Sequence, residues 1–156
     1  MEGPRRSAKQ ADELVVCGVT GDLAHKMSFP ALYAMARRGA LDVPVVGVAS
    51  SKWSIAQLRK RAEDGIRKAG KIDDKAALRH LLSLLRYVDG NYNDPGTFAA
   101  LKTTLDRARR PAHYLAIPPA LFATVIKGLG AAGLSDGGRV SVGTPFGRGL
   151  SSAAIR

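Results

Sequence analysis

Two glycines, Gly18 and Gly21, stand in the run Gly18-Val19-Thr20-Gly21-Asp22-Leu23-Ala24. The run follows Leu14-Val15-Val16-Cys17, an apolar stretch that reads as a buried parallel strand. Leu32, Met35 and Ala36 then repeat at helical spacing, with Gly39 as the stop. Pro30 lies inside this helix and predicts a kink or a late start. In such a strand–turn–helix unit the first turn meets a dinucleotide pyrophosphate. Glycine allows a tight turn and close backbone approach, and the helix N-terminus offers free N–H groups and a positive dipole end. Val19 and Leu23 lend their backbone to the turn, and Thr20 adds a hydroxyl. Asp22 is expected to cap the helix, because its charge repels a phosphate. The spacing is Gly-x-x-Gly, so the context carries the reading more than the glycines do.

The end of the second strand, Gly47-Val48-Ala49-Ser50-Ser51-Lys52, is where an adenosine ribose is read. An acid there would favour NAD, and none is present. Ser50, Ser51 and Lys52 offer hydroxyls and a cation, which suit the 2′-phosphate of NADP. The competing reading has Ser51 or Ser54 capping the next helix and Lys52 solvated, and the residues alone leave both open.

Other candidates carry less. Gly65 to Lys71 fits Gly-x-x-x-x-Gly-Lys, but Ile72 replaces the required Ser or Thr and the segment sits at a helix end. His25, His80 and His113 have no metal-ligand spacing. His25 lies close enough to the glycine turn for a phosphate contact, His80 reads as a surface residue, and His113 reads as packed. Cys17 falls in a buried strand with no activating base nearby. None of Tyr33, Tyr87, Tyr92 and Tyr114 has a lysine four residues on, so a short-chain dehydrogenase pair is absent.

The elements that position these residues alternate. Strands are predicted over Leu14–Cys17, Val43–Val48, Tyr87–Val88, Ala112–Ile117 and Arg139–Val142. Helices are predicted from Ser54 to about Gly70, from Asp73 or Asp74 to about Leu85, from Thr97 to about Arg109, and from Pro119 to Ala132. The rhythm predicts an α/β fold, a doubly wound, Rossmann-like parallel sheet with helices on both faces that stops after its fifth strand. Residues 1–12 read as a disordered tail and 13–156 as the domain.

Composition agrees. The 156 residues are 46% hydrophobic and 24% charged, the balance of a globular domain. One cysteine and a polar N-terminus without an apolar h-region suggest a reducing, cytoplasmic setting. No apolar run approaches the ~20 residues of a membrane helix. The net charge of +11 invites a nucleic-acid reading. Its densest stretch, Arg59 to Arg79, interleaves with Ile55, Leu58, Ala62, Ile66 and Ala69 at helical spacing and lacks aromatics. It reads as a solvated helix face, so nucleic acid is not the expected partner.

Several further runs carry a resemblance. GVTGDLA at Gly18–Ala24, Phe29-Pro30-Ala31-Leu32-Tyr33, Val46-Gly47-Val48-Ala49, the segment Tyr87 to Asp94, the run His113 to Pro119, and Pro145-Phe146-Gly147-Arg148 follow one order and spacing. Together they resemble the N-terminal, coenzyme-binding half of the glucose-6-phosphate dehydrogenases. The resemblance implies an NADP site, with NAD as the alternative, and adds Asn91, Ala116, Pro118 and Thr144 to its lining. It also implies oxidation of glucose 6-phosphate at C1 to the lactone, in the pentose phosphate pathway. The family's general base lies in an Arg-Ile-Asp-His-Tyr-Leu-Gly segment that these 156 residues do not contain. The sugar-phosphate domain lies further on. The chain is therefore expected to bind the dinucleotide and, alone, to turn nothing over. Two positions depart from the family. Thr144 replaces a lysine that contacts substrate and cofactor, and Ser50 stands where an arginine commonly clamps the 2′-phosphate. A stand-alone nucleotide-binding module is the alternative.

Overall fold

The computed structural model describes residues 12–105, 111–134 and 139–142. Five parallel strands form one sheet: β1 (Glu13–Cys17), β2 (Val45–Ala49), β3 (Leu85–Asp89), β4 (Pro111–Leu115) and β5 (Arg139–Val142). Their order is β3-β2-β1-β4-β5. The chain winds outward from β1 in one direction, then returns to its other side. Because every strand is parallel, the loops after β1, β2 and β4 emerge along one edge. The order reverses between β1 and β4, where doubly wound folds hold their ligands.

Strand alternation builds two cores. Leu14 and Val16 face α1 (Phe29–Arg37), α2 (Ile55–Ala69) and α3 (Lys75–Leu84). Val15 and Cys17 face α4 (Pro95–Leu105) and α5 (Phe122–Ala131). A strand buried on both faces must be apolar throughout, which explains Leu14-Val15-Val16-Cys17 and the fully buried Val45–Ala49.

Helix ends follow local chemistry. The Ser54 hydroxyl accepts from the Gln57 N–H at 3.2 Å, and the Gln57 side chain accepts from the Ser54 N–H at 2.8 Å. Such a reciprocal cap contributes about 1 kcal/mol. Asp74 caps α3 through the Ala77 N–H at 2.9 Å. Gly39 ends α1 at φ +71. The expected disturbance at Pro30 takes the form of a widened π-helical turn over Ala24–Ser28. Pro30 has no N–H for the Lys26 carbonyl, and its ring crowds that carbonyl.

Some predicted boundaries shift. The second strand begins at Val45, after Pro44, and the fourth at Pro111. The third strand starts at Leu85, directly from α3 without a loop. Leu81, Leu82, Leu84 and Leu85 suit either period, so the sequence did not mark the switch. The α4 helix begins at Pro95, two residues before Thr97, because the Asp94 carboxylate accepts from the Gly96 N–H and proline suits a first turn. The predicted end of that helix, residues 1–11 of the predicted tail at 1–12, and the turn at Asp136 lie outside the described residues.

Candidate functional site

Gly18 follows β1 at φ +80, a conformation that disfavours a side chain. A Cβ there would stand 2.2 Å from the Ala116 carbonyl oxygen and 2.6 Å from Ile117 Cγ2. The turn therefore lies flush against the loop after β4, and only glycine permits it. Gly21 closes the turn by donating its N–H to the Gly18 carbonyl at 3.0 Å, and the His25 N–H reaches the Gly21 carbonyl at 3.1 Å. The Asp22, Leu23 and Ala24 amides precede that first helical bond, so they have no intrahelical acceptor. Val19 is buried and lies over Gly47 of β2, where a Cβ would meet Val19 Cγ1 at 2.6 Å.

The second strand end joins this turn. The Thr20 and Ser51 hydroxyls lie 3.1 Å apart. Ser51 thus faces the turn and does not cap α2; Ser54 holds that role. The Tyr87 hydroxyl donates to the Ser51 carbonyl from below. Burial and the Asp89 charge push this phenol up to about 12, so it stays a donor. Ser50 and Lys52 are exposed on the same loop. Gly90 donates its N–H to the Ala49 carbonyl at 2.9 Å, which brings Asn91 beside the end of β2. The Asn91 side chain accepts from the Asn93 N–H at 2.8 Å and so shapes its own turn. Ala116 donates its N–H to the Cys17 carbonyl at 2.9 Å. Pro118 is exposed above it and its carbonyl accepts from the Leu121 N–H. Thr144 lies outside the described residues.

Two expectations need correction. The Asp22 carboxylate makes no cap; it reaches Arg61 of α2 at 3.4 Å and is largely exposed. His25 turns away from the glycine turn. Its Nε2 meets Asp64 Oδ2 at 2.7 Å, and its carbonyl lies against Gly65, where a Cβ would stand 2.3 Å away. The histidine is consumed in fixing α2 against the π-helical turn. Its hydrogen bond, with Lys68 beside it, holds the Asp64 carboxyl below the usual range. Gly65 is thus a helix-contact glycine, in keeping with the rejection of a phosphate loop.

Tyr92 was missed as a site residue. Its hydroxyl accepts from the Gly18 N–H at 2.7 Å and donates to the Val48 carbonyl at 3.0 Å. Burial pushes this phenol well above its usual range. The tyrosine was visible in the sequence, but its contact spans 74 residues. Three packing expectations hold. Cys17 is buried and its thiol is pushed up to about 12. His113 is buried in β4, with Nε2 on the Leu134 carbonyl at 3.1 Å. His80 is exposed and reaches the Leu41 carbonyl. The basic stretch lies on the outer faces of α2 and α3, partly paired as Arg67–Glu63 and Lys68–Asp64. Among the described residues no group of His, Cys, Asp and Glu is placed to hold a metal ion, and no helix is long and apolar enough to cross a membrane.

A glycine turn at the reversal point of a doubly wound parallel sheet, with a polar loop after the second strand, defines the dinucleotide-fold class. The comparisons narrow it. Residues 15–155 match the family model described as glucose-6-phosphate dehydrogenase, NAD binding domain, and the chain belongs to that family. It is 43% identical over 143 residues to glucose-6-phosphate 1-dehydrogenase 1 of Mycobacterium bovis, covering 92% of this chain and 30% of that protein. It is 33% identical to the Saccharomyces cerevisiae glucose-6-phosphate 1-dehydrogenase, covering 97% and 32%. A crystal structure of the Mycobacterium avium enzyme superposes with TM-score 0.81 at 41% identity, covering 88% of this chain and 31% of that one. A glucose-6-phosphate dehydrogenase in complex with glucose 6-phosphate superposes at 0.74 and 28% identity, covering 86% and 30%. The chain spans about 30% of the length of the curated mycobacterial relatives it matches.

Proposed function

We propose that this chain is the NADP-binding portion of a cytoplasmic glucose-6-phosphate dehydrogenase. The carrying observation is the turn at Gly18, where the backbone closes on Ala116 so tightly that a Cβ has no room. That packing fixes the turn against the β4 loop, and the amides of Asp22, Leu23 and Ala24, which precede the first helical bond, are left to meet a phosphate. The helix N-terminus at Asp22 and Leu23 supplies donors and a positive dipole end for the pyrophosphate. Thr20 and Ser51 supply hydroxyls at the junction of the two loops. Ser50, Ser51 and Lys52 take the adenosine ribose and its 2′-phosphate; no carboxylate stands among them to demand a free 2′-hydroxyl. Asn91, Ala116 and Pro118 border the same edge of the sheet, and Thr144 belongs to the same lining by family resemblance.

The chemistry that NADP supplies when bound is acceptance of hydride from C1 of glucose 6-phosphate. This chain's residues bind and orient. Proton removal from the C1 hydroxyl needs a positioned base, and the Arg-Ile-Asp-His-Tyr-Leu-Gly segment that holds it in the family is not among these residues. His25 and His113 do not substitute, because one is paired with Asp64 and the other is buried in β4.

Trp53 makes the test direct. It is the sole tryptophan, and its backbone N–H reaches the Ser51 carbonyl at 3.0 Å, which holds it beside the ribose loop. Its fluorescence should report weak but saturable NADP binding, tighter than NAD. Addition of glucose 6-phosphate should yield no NADPH absorbance. Absence of saturation at millimolar NADP would overturn the binding role, and turnover by the chain alone would overturn the division of labour.

A further inference from the structure

A groove of about 680 Å³ runs between α4 and α5, within the range of small-molecule sites. Pro95, Phe98, Ala99, Gly128, Ala131 and Ala132 give it a mainly apolar surface. Phe98 and Gly128 meet at the floor, where a Cβ on Gly128 would stand 2.3 Å from the Phe98 ring, and Ala99 and Ala131 keep the walls low. Lys102 of α4 and Lys127 of α5 line it from opposite helices, and no carboxylate is among the described lining residues. An apolar slot with a lysine contributed by each helix suits a flat apolar body carrying one acidic group. A bare anion leaves the slot unfilled, and a neutral body leaves both cations unanswered.

The same groove is lined by Tyr92, whose hydroxyl donates to the Val48 carbonyl and shares with that carbonyl the Gly18 N–H, each accepting at 2.7 Å. One side chain thus borders the groove and anchors the glycine turn. We propose that the α4–α5 groove binds a small apolar anion and that its occupancy tightens the glycine turn through Tyr92. The coupling rests on the dinucleotide reading of that turn; binding in the groove does not. A body seated beside the Tyr92 ring restricts its rotation and keeps the hydroxyl on Gly18. The linkage is reciprocal, so a dinucleotide at the turn tightens the groove by the same factor.

Naphthalene sulfonate is the probe, with neutral naphthalene methanol and inorganic sulfate as partial ligands, all titrated calorimetrically against the chain. One saturable site is expected for the sulfonate, with both partial ligands weaker by roughly tenfold or more. Lys102→Glu with Lys127→Glu should abolish binding, and Ala131→Leu, which fills the exposed wall without touching charge, should do the same. Saturation that survives both variants, or no saturation in the parent chain, overturns the groove. With the probe present, NADP should bind roughly fivefold tighter, and Tyr92→Phe should remove that gain while both ligands still bind. Mutual competition would place the probe at the glycine turn and overturn the proposal. An NADP affinity that the probe leaves unchanged overturns the coupling. Probe binding with no NADP binding under any condition overturns the dinucleotide reading and the coupling with it, and leaves the groove standing.

Discussion

The Thr20 hydroxyl lies 3.1 Å from the Ser51 hydroxyl, although 31 residues separate the two in sequence. This contact joins the loop after β1 to the loop after β2 and makes one polar rim of them. A pyrophosphate at the first loop and a ribose at the second would share that rim. Among the described residues neither hydroxyl bonds any side chain but the other, and the donor that the pair does not use faces the edge of the sheet.

The two glycines of the turn should behave differently. Gly18→Ala places a methyl into the Ala116 carbonyl at a positive φ, whereas a Cβ at Gly21 stands 3.3 Å from the Gly18 carbonyl. Gly18→Ala should destabilise by about 2–4 kcal/mol, and Gly21→Ala by about 1 kcal/mol or less. Urea denaturation followed by circular dichroism separates them; equal losses would mean that the turn does not press on the β4 loop.

Lys52 should set the preference between the two dinucleotides. It is exposed and has no acid beside it in the Ser50–Lys52 loop. Lys52→Glu should weaken NADP by roughly tenfold and leave NAD within about twofold, since only the former carries the 2′-phosphate. Trp53 fluorescence titrations give both constants. A parallel loss for both dinucleotides would move the 2′-phosphate away from this loop.

His113 should make the fold acid-sensitive. Burial pushes its pKa down from 6.5 to about 4, with the Leu134 carbonyl accepting from Nε2–H and opposing the shift. The folded value lies below the unfolded one. Between them the unfolded chain binds the extra proton, so stability falls as pH drops from 6.5 toward 4. The group contributes nothing to the slope above that window. The loss should reach about 1.4 kcal/mol per pH unit and about 3 kcal/mol in all. His113→Gln should flatten the denaturation midpoint in that window by about one proton; an unchanged slope would assign the acid sensitivity elsewhere.

Cys17 should be silent in the folded chain. Its thiol is fully buried in β1 and pushed up to about 12, so thiolate is scarce at neutral pH. Iodoacetamide labelling should be at least about a hundredfold slower in buffer than in denaturant, limited by opening of the sheet. Rapid labelling of the native chain would show that β1 opens locally.

The sequence by itself determined the layers and their contents. Leu14-Val15-Val16-Cys17 and Val43–Val48 read as buried strands because they are apolar at successive positions, and both lie in the middle of the sheet with the second shifted to Val45–Ala49. Ser54 and Gly39 marked helix ends through chemistry that acts within a few residues. The strand–turn–helix context located the glycine turn, and the end of the second strand located the Ser50–Lys52 loop. Tertiary structure decided what distant residues do to one another. It removed His25 from the site by pairing it with Asp64, 39 residues away, and sent Asp22 to Arg61. It brought Tyr92 under Gly18 and opened a groove between α4 and α5. The physical reason is range. Caps, periods and turns are settled within one or two turns of chain, whereas side-chain partners across a parallel sheet are chosen only after the crossovers have folded.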